Sequence, residues 1–184
     1  GRDIKRYYYE WAGLWVIFIP WHFPLHEDST IQGASAKAEK EFKKLYPTIY
    51  NHLLQFKKNL LKRNKEETGL RYEWYVMQRC AATYYHEFEK EKVVWGGVIT
   101  TKEFFKLRMS YVKKGVYIIA PANMMICDNI KYLIGYCNSY INNWYYNNFI
   151  GTVLHKDGIR FYLEDILKIP IPPITQSNQP IVTQ

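Results

Sequence analysis

Aromatic runs without helical period alternate along this chain with segments that repeat every three to four residues. Tyr7-Tyr8-Tyr9 and Trp15-Val16-Ile17-Phe18-Ile19 predict two strands, with Ala12-Gly13 as the turn between them and Pro20 and Pro24 as the stop. Residues 24–35 read as a loop. Residues 36–65 are helical: a short helix over 36–45, then a second opening at Pro47, whose missing N–H is no loss at the first helical position. Ile49, Leu53, Phe56 and Leu60 give that second helix one apolar face. Lys57, Lys58, Lys62, Arg63 and Lys65 crowd its C-terminal end, where the helix dipole favours cations, and Gly69 ends the pattern. Residues 84–91 predict a short helical turn. Further strands are expected at 93–95, near 104–108, at 116–119 and near 124–126, separated by Gly96-Gly97, Lys113-Lys114-Gly115 and Ala120-Pro121.

Asp128 or Asn129 can cap a helix that runs to about residue 148. Its apolar stripe is Ile130, Leu133, Ile134, Cys137, Ile141, Trp144 and Tyr145, and its other side carries Asn138, Asn142, Asn143, Asn147 and Asn148. That asparagine face, polar but nearly uncharged, suits docking against a neighbouring domain. Residues 162–167 predict a last helical turn, and prolines force 168–173 to be extended. The expectation is an α+β domain over 1–173, with an irregular, mostly antiparallel or β-helix-like sheet region and packed helices. The 46–65 helix is expected on the sheet, and 174–184 is expected to be a flexible tail.

Composition adds a bias rather than a class. The chain has 184 residues, 48% of them hydrophobic and 23% charged, so it can bury a core. Lys plus Arg number 25 against 17 Asp plus Glu, a net charge of +8, and there are 17 Tyr, 9 Phe and 6 Trp. A basic, aromatic-rich domain suits a polyanionic partner, most simply nucleic acid. The longest apolar run, Leu14 to Phe23, is short and broken by Pro20 and His22, which argues against a membrane span. Three widely spaced cysteines, Cys80, Cys127 and Cys137, are no disulfide framework and fit the cytoplasm. A chain that opens Gly1-Arg2-Asp3 and closes on an uncharged tail is expected to be a piece of a longer polypeptide.

Catalytic patterns are sparse. The lone Pro-Pro, within Ile171-Pro172-Pro173-Ile174, lacks the polar and aromatic partners that hold a flipped base for amino methylation. Gly96-Gly97 alone is a poor cofactor cradle, and the five histidines stand at no zinc-finger spacing. Glu87, Glu89, Lys90 and Glu91 contain the letters of a metal-dependent nuclease but read as a solvated charge run.

The constellation that suits DNA runs from Lys57 to Arg79. Cations such as Lys62, Arg63 and Arg71 can hold phosphates. Gln78 and Arg79 can each make two hydrogen bonds to a base edge, Gln to adenine and Arg to guanine. Trp74 can pack on sugar or base. The alternative is that the lysines are a solvated face and that Trp74 and Tyr75 are core. Lys102, after the Thr100-Thr101 turn, and Lys156, in a loop expected over 151–160, are further candidates.

Several stretches together resemble the TaqI-like C-terminal specificity domain, the target-recognition part of adenine-N6 DNA methyltransferases and of fused restriction-modification enzymes. Gly1-Arg2-Asp3-Ile4-Lys5-Arg6-Tyr7 is similar to its opening, and Tyr46-Pro47-Thr48-Ile49 to its helix start. Phe88-Glu89-Lys90 precedes the Val93-Val94-Trp95 strand, Ile130 to Gly135 with Asn138-Ser139 resembles its central helix, and Ile169-Pro170-Ile171-Pro172 its closing segment. The likeness spans about residues 1–173 and departs near Gly96-Gly97 and over 113–125, so base-reading residues do not carry over from it. It implies a chain without catalytic residues or cofactor of its own, which reads double-stranded DNA for a covalently linked methyltransferase domain. S-adenosylmethionine is then expected in that neighbour, with magnesium where the parent also carries a nuclease. Arg2, Asp3, Ile169 and Pro170 are expected to seat the domain against it. The rival readings are a type I specificity-subunit domain, a metal-dependent nuclease around Glu87–Glu91, and a non-DNA interaction domain.

Overall fold

The computed structural model describes residues 2–78, 84–99, 107–154 and 158–175. The chain divides into two units, Trp15–Tyr85 and the remainder, Gly1–Leu14 with His86–Gln184.

The unit from Trp15 to Tyr85 is helical with an aromatic core. Helix α1 spans Ala36–Leu45 and is capped by Ser35, whose Oγ accepts the Ala38 N–H at 3.2 Å. Ala38 and Phe42, one turn apart, point inward. The single helix expected over 46–65 is instead two: α2 (Pro47–Leu54) and α3 (Lys57–Leu61), interrupted at Gln55-Phe56. The expected apolar face shifts with it. Tyr50 is buried, Leu53 and Leu60 pack beside it, and Ile49 and Phe56 are exposed. These helices pack on an aromatic core of their own unit. Its members are Ile19, Phe42, Tyr50, Tyr72, Trp74, Tyr75 and Val76. Phe42 stacks on Tyr75 at 4.5 Å and Trp21 on Tyr72 at 4.8 Å, offset pairs that add to simple area burial. The strand expected over 15–19 does not form. Trp15, Val16 and Ile17 are exposed, and only Ile19 is buried, its carbonyl accepting the Met77 N–H.

The other unit holds the strands, which confirms the α+β class. β1 (Lys92–Gly96) is the centre of an antiparallel sheet between β3 (Met109–Val112) and β4 (Ala122–Met125), with Trp95 opposite Met109 and Asn123. β1 is buried along its whole length because both of its faces are covered. Val93 and Trp95 join the larger core with Leu133, Cys137 and Ile159, whereas Val94 joins a smaller one with Ile4 and Val112. The second sheet, also antiparallel, orders β2 (Val98–Ile99), β6 (Gly158–Arg160) and β5 (Thr152–Leu154). Gly97 joins β1 to β2 by giving its N–H to the Pro121 carbonyl and accepting from Phe161. A Cβ there would run into that Pro121 oxygen, so the Gly96-Gly97 pair serves sheet packing.

Three other expectations change here. Tyr7-Tyr8-Tyr9 makes only isolated bridges, Tyr7 to Ser110 and Tyr9 to Ile4. Residues 116–119 form no strand; Val116 and Ile118 pack against the small core without a ladder. The long helix expected to about residue 148 breaks at Asn138-Ser139 into α4 (Ile130–Cys137) and α5 (Tyr140–Tyr145), followed by a π-helical turn over Tyr146–Ile150. Ser139 re-caps it by accepting the Asn142 N–H. The break rotates the buried face. Ile141 and Trp144 are 69% and 55% exposed, whereas Asn138, Asn142 and Asn143 are buried. The asparagine face is therefore split: Asn138, Asn142 and Asn143 lie inside this unit, whereas Asn147 is half-buried and Asn148 exposed.

A short helix α6 (Leu163–Ile166) precedes the proline segment. The Tyr136 hydroxyl donates to the Pro170 carbonyl at 2.7 Å and that of Tyr132 to Pro172 at 2.8 Å, so α4 holds the extended tail along its side.

Candidate nucleic-acid interface

Within the helical unit, two carboxylates, one half-buried and one buried, organise the segment from Lys57 to Gln78. Glu39 on α1 accepts Trp74 Nε1–H at 2.7 Å, the Tyr50 hydroxyl at 2.9 Å and Lys57 Nζ at 3.3 Å, all at Oε1. Burial raises its pKa, but the donors from Trp74 and Tyr50 and the Lys57 charge outweigh burial and hold the carboxyl below its ordinary value. Glu73 is the buried one of the two. It accepts the Ser35 and His22 N–H groups at 2.9 Å each, and His22 Nδ1 lies 3.0 Å from its Oε1. The residue that caps α1 is thereby tied to the loop at 73–78.

This geometry sorts the candidate cations. Arg63 is committed to the fold: its Nη2 donates to the Trp74 and Val76 carbonyls at 2.7 and 2.9 Å, and its Nε to Leu60 at 3.0 Å. Burial lowers its guanidinium pKa. It serves as a backbone clamp. Trp74 is 4% exposed and belongs to the core, so it cannot stack on a base. Arg71 is exposed, pairs with Glu67 at 3.2 Å and lies over the Trp21 ring at 5.4 Å. Lys57 is likewise engaged, by Glu39 and over the Trp74 ring at 4.7 Å. Lys62, with Lys58 and Lys65, is exposed and in no ion pair among the described residues. Gln78 is half-buried at the end of the described stretch. Arg79, Lys102 and Lys156 lie outside the described residues.

Helix α1 carries further cations that the sequence analysis does not single out. Lys37, Lys40, Lys43 and Lys44 are all exposed, on the side of the helix away from Ala38 and Phe42. In the strand-bearing unit, the expected loop over 151–160 is instead the β5–β6 hairpin, with Leu154 opposite Gly158. Arg160 there is exposed and donates to the Tyr162 hydroxyl at 2.7 Å.

The residues expected to face a neighbouring domain divide. Arg2 is exposed and pairs with Asp3 at 3.3 Å. Pro170 is exposed, but Ile169 is only 5% exposed and sits in the larger core of its own unit, where it cannot meet another domain. The carboxylates of the Glu87–Glu91 run do not converge. Glu87 pairs with Lys90, Glu89 accepts from Tyr117, and Glu91 from Tyr111. No helix among the described residues is long and apolar enough to cross a membrane.

Compared with known proteins, the chain matches no curated sequence. A family model described as the TaqI-like C-terminal specificity domain matches residues 1–171. That match begins at the Gly-Arg-Asp-Ile opening, crosses both units and ends inside the Ile-Pro-Ile-Pro segment. The chain belongs to the TaqI-like C-terminal specificity domain family.

Proposed function

We propose that this chain recognises a specific site in double-stranded DNA and presents it to a covalently linked methyltransferase domain for adenine-N6 methylation. The family membership carries this reading, because a specificity domain supplies target choice rather than chemistry. The spread of cations supports it: Arg63 and Lys57 are consumed by the fold, while Lys58, Lys62 and Lys65 stand exposed beside them.

In this reading Lys62, Lys102 and Lys156 contact phosphates, and Arg71 exchanges its Glu67 partner for one. Gln78 and Arg79 read base edges. No bond is made or broken by this chain; S-adenosylmethionine belongs to the neighbouring domain. The parent works in the cytoplasm as part of a restriction-modification system. The test is titration of the chain against labelled duplexes at two salt concentrations. Binding that weakens steeply with salt supports the reading, and no binding at the lower concentration overturns it. Replacing Arg79 should relax preference at one base position; uniform weakening would make it a phosphate contact instead.

A further inference from the structure

We propose that the outer face of α1 is a second DNA surface, a track of lysines that follows the phosphate backbone and reads no bases. The inference rests on the DNA-recognition reading above and adds a surface to it.

Lys37, Lys40 and Lys44 stand at i, i+3 and i+7, so they line one side of the helix. At about 1.5 Å rise per residue the row is about 10 Å long. One DNA strand carries a phosphate about every 3.4 Å along the duplex axis, so the row lies alongside about three of them. Lys43 flanks the row, its Nζ 5.8 Å from the centre of the Tyr50 ring. Lys40, Lys43 and Lys44 are in no ion pair among the described residues. Among the described residues, two acids can be placed beside this face. Asp28 feels the Lys37 charge, although its carboxyl is held low chiefly by Thr30, and half-buried Glu41 lies on the same helix. The third acid of the neighbourhood, Glu39, is turned inward to Trp74, Tyr50 and Lys57.

The row is mounted rigidly. Ala38 and Phe42 are fully buried beneath it, Ser35 caps the helix, and Glu73 holds the Ser35 N–H. Lysines closely spaced on one helix side repel one another. Nothing inside the described structure offsets that repulsion except Asp28 and Glu41, whereas a polyanion laid along the helix would. The face carries no Arg, Asn or Gln, the side chains that read base edges in pairs of hydrogen bonds. It therefore contributes affinity and register, not sequence choice.

The test compares the whole chain with a variant carrying Lys37→Gln, Lys40→Gln and Lys44→Gln. For every duplex the slope of log K against log salt should become shallower by about 0.9 per lost contact, so by about 2 to 3 in all. The ratio of specific to non-specific affinity should not change. The corresponding triple Lys→Arg variant should bind like the original chain, and its melting temperature together with that of the Gln variant separates lost contacts from lost fold. Should the Gln variant fail to fold, the single variants Lys40→Gln and Lys44→Gln should each lower the slope by about 0.9. An unchanged slope, or an altered sequence preference, overturns the inference while leaving the recognition reading intact. An original chain that binds no duplex overturns both.

Discussion

The side-chain amide of Asn138 pairs with the backbone of Met109 as a neighbouring strand would. Its Oδ1 accepts the Met109 N–H at 2.8 Å, and its Nδ2 donates to the Met109 carbonyl at 2.8 Å. Both residues are buried. β3 is an edge strand, so its outward backbone groups need partners when water is excluded. Asn143 continues the pattern by accepting the Leu107 N–H, and the Tyr7 N–H also reaches the Met109 carbonyl at 3.0 Å. The break in the helix at Asn138-Ser139 brings these amides to the sheet.

Asn138→Ala should therefore destabilise the fold by about 2–3 kcal/mol, because it leaves a buried N–H unpaired and weakens the satisfaction of a carbonyl. Chemical denaturation should show a lower midpoint with an unchanged slope. Asn138→Asp should be at least as harmful, since it keeps the acceptor for the Met109 N–H but sets a buried carboxylate oxygen against the Met109 carbonyl.

Arg63 and Lys62 are adjacent in sequence and should behave oppositely. Arg63→Ala leaves the Trp74 and Val76 carbonyls without their donor and should cost about 2–4 kcal/mol of stability. Lys62→Ala should leave the melting temperature unchanged and weaken DNA binding, with the salt slope reduced by about 0.9. Melting curves and salt titrations of the two variants check both statements.

Glu39 makes the helical unit acid-sensitive. Its folded pKa is depressed, so its stabilising contribution is present above the ordinary glutamate value of 4.5 and is lost as pH falls through the folded value. Melting temperature measured from pH 7 downward should fall below about pH 4.5, and the fall should be shallower in Glu39→Gln. Glu39→Gln should also lower stability at pH 7, where the carboxylate bonds to Trp74, Tyr50 and Lys57 are at full strength.

Burial pushes the Cys137 thiol up to about 12, with the nearby Cys127 adding to the effect. In the native chain at pH 8, Cys137 should resist alkylation, because the thiolate is the nucleophile. Mass-spectrometric mapping of each cysteine after brief labelling, with and without denaturant, checks this. An unfolded chain releases this proton near the ordinary thiol value of 9, whereas the folded chain holds it to about 12. Stability from this group is thus full below pH 9 and is lost as pH rises toward 12.

Local chemistry made several elements legible in advance. Ser35 and Pro47 mark the starts of α1 and α2 by rules that involve only neighbouring residues, and Val93-Val94-Trp95 reads as a buried strand from its residue types. The errors share a different origin. Trp15 to Ile19 has the composition of a strand but joins no sheet among the described residues; its one buried member, Ile19, packs into the aromatic core instead. The asparagines of 138–143 read as a polar outer face until β3 is known to need their amides. For the site, the sequence located a basic segment but did not show which cations the fold consumes. Arg63, Lys57 and Trp74 are spent on carbonyls and on Glu39, contacts that join distant parts of the helical unit. The α1 lysines were visible at their spacing, but a lysine row on a surface helix carries no signal until its neighbours are found engaged elsewhere.

The central claim, that this chain alone selects a DNA sequence, is tested most directly by incubating it with a pool of duplexes randomised over the binding region and sequencing the bound fraction. The expected result is enrichment of one defined site, bound more tightly than the unselected pool at the same salt concentration. A bound fraction with the same composition as the input pool would contradict it.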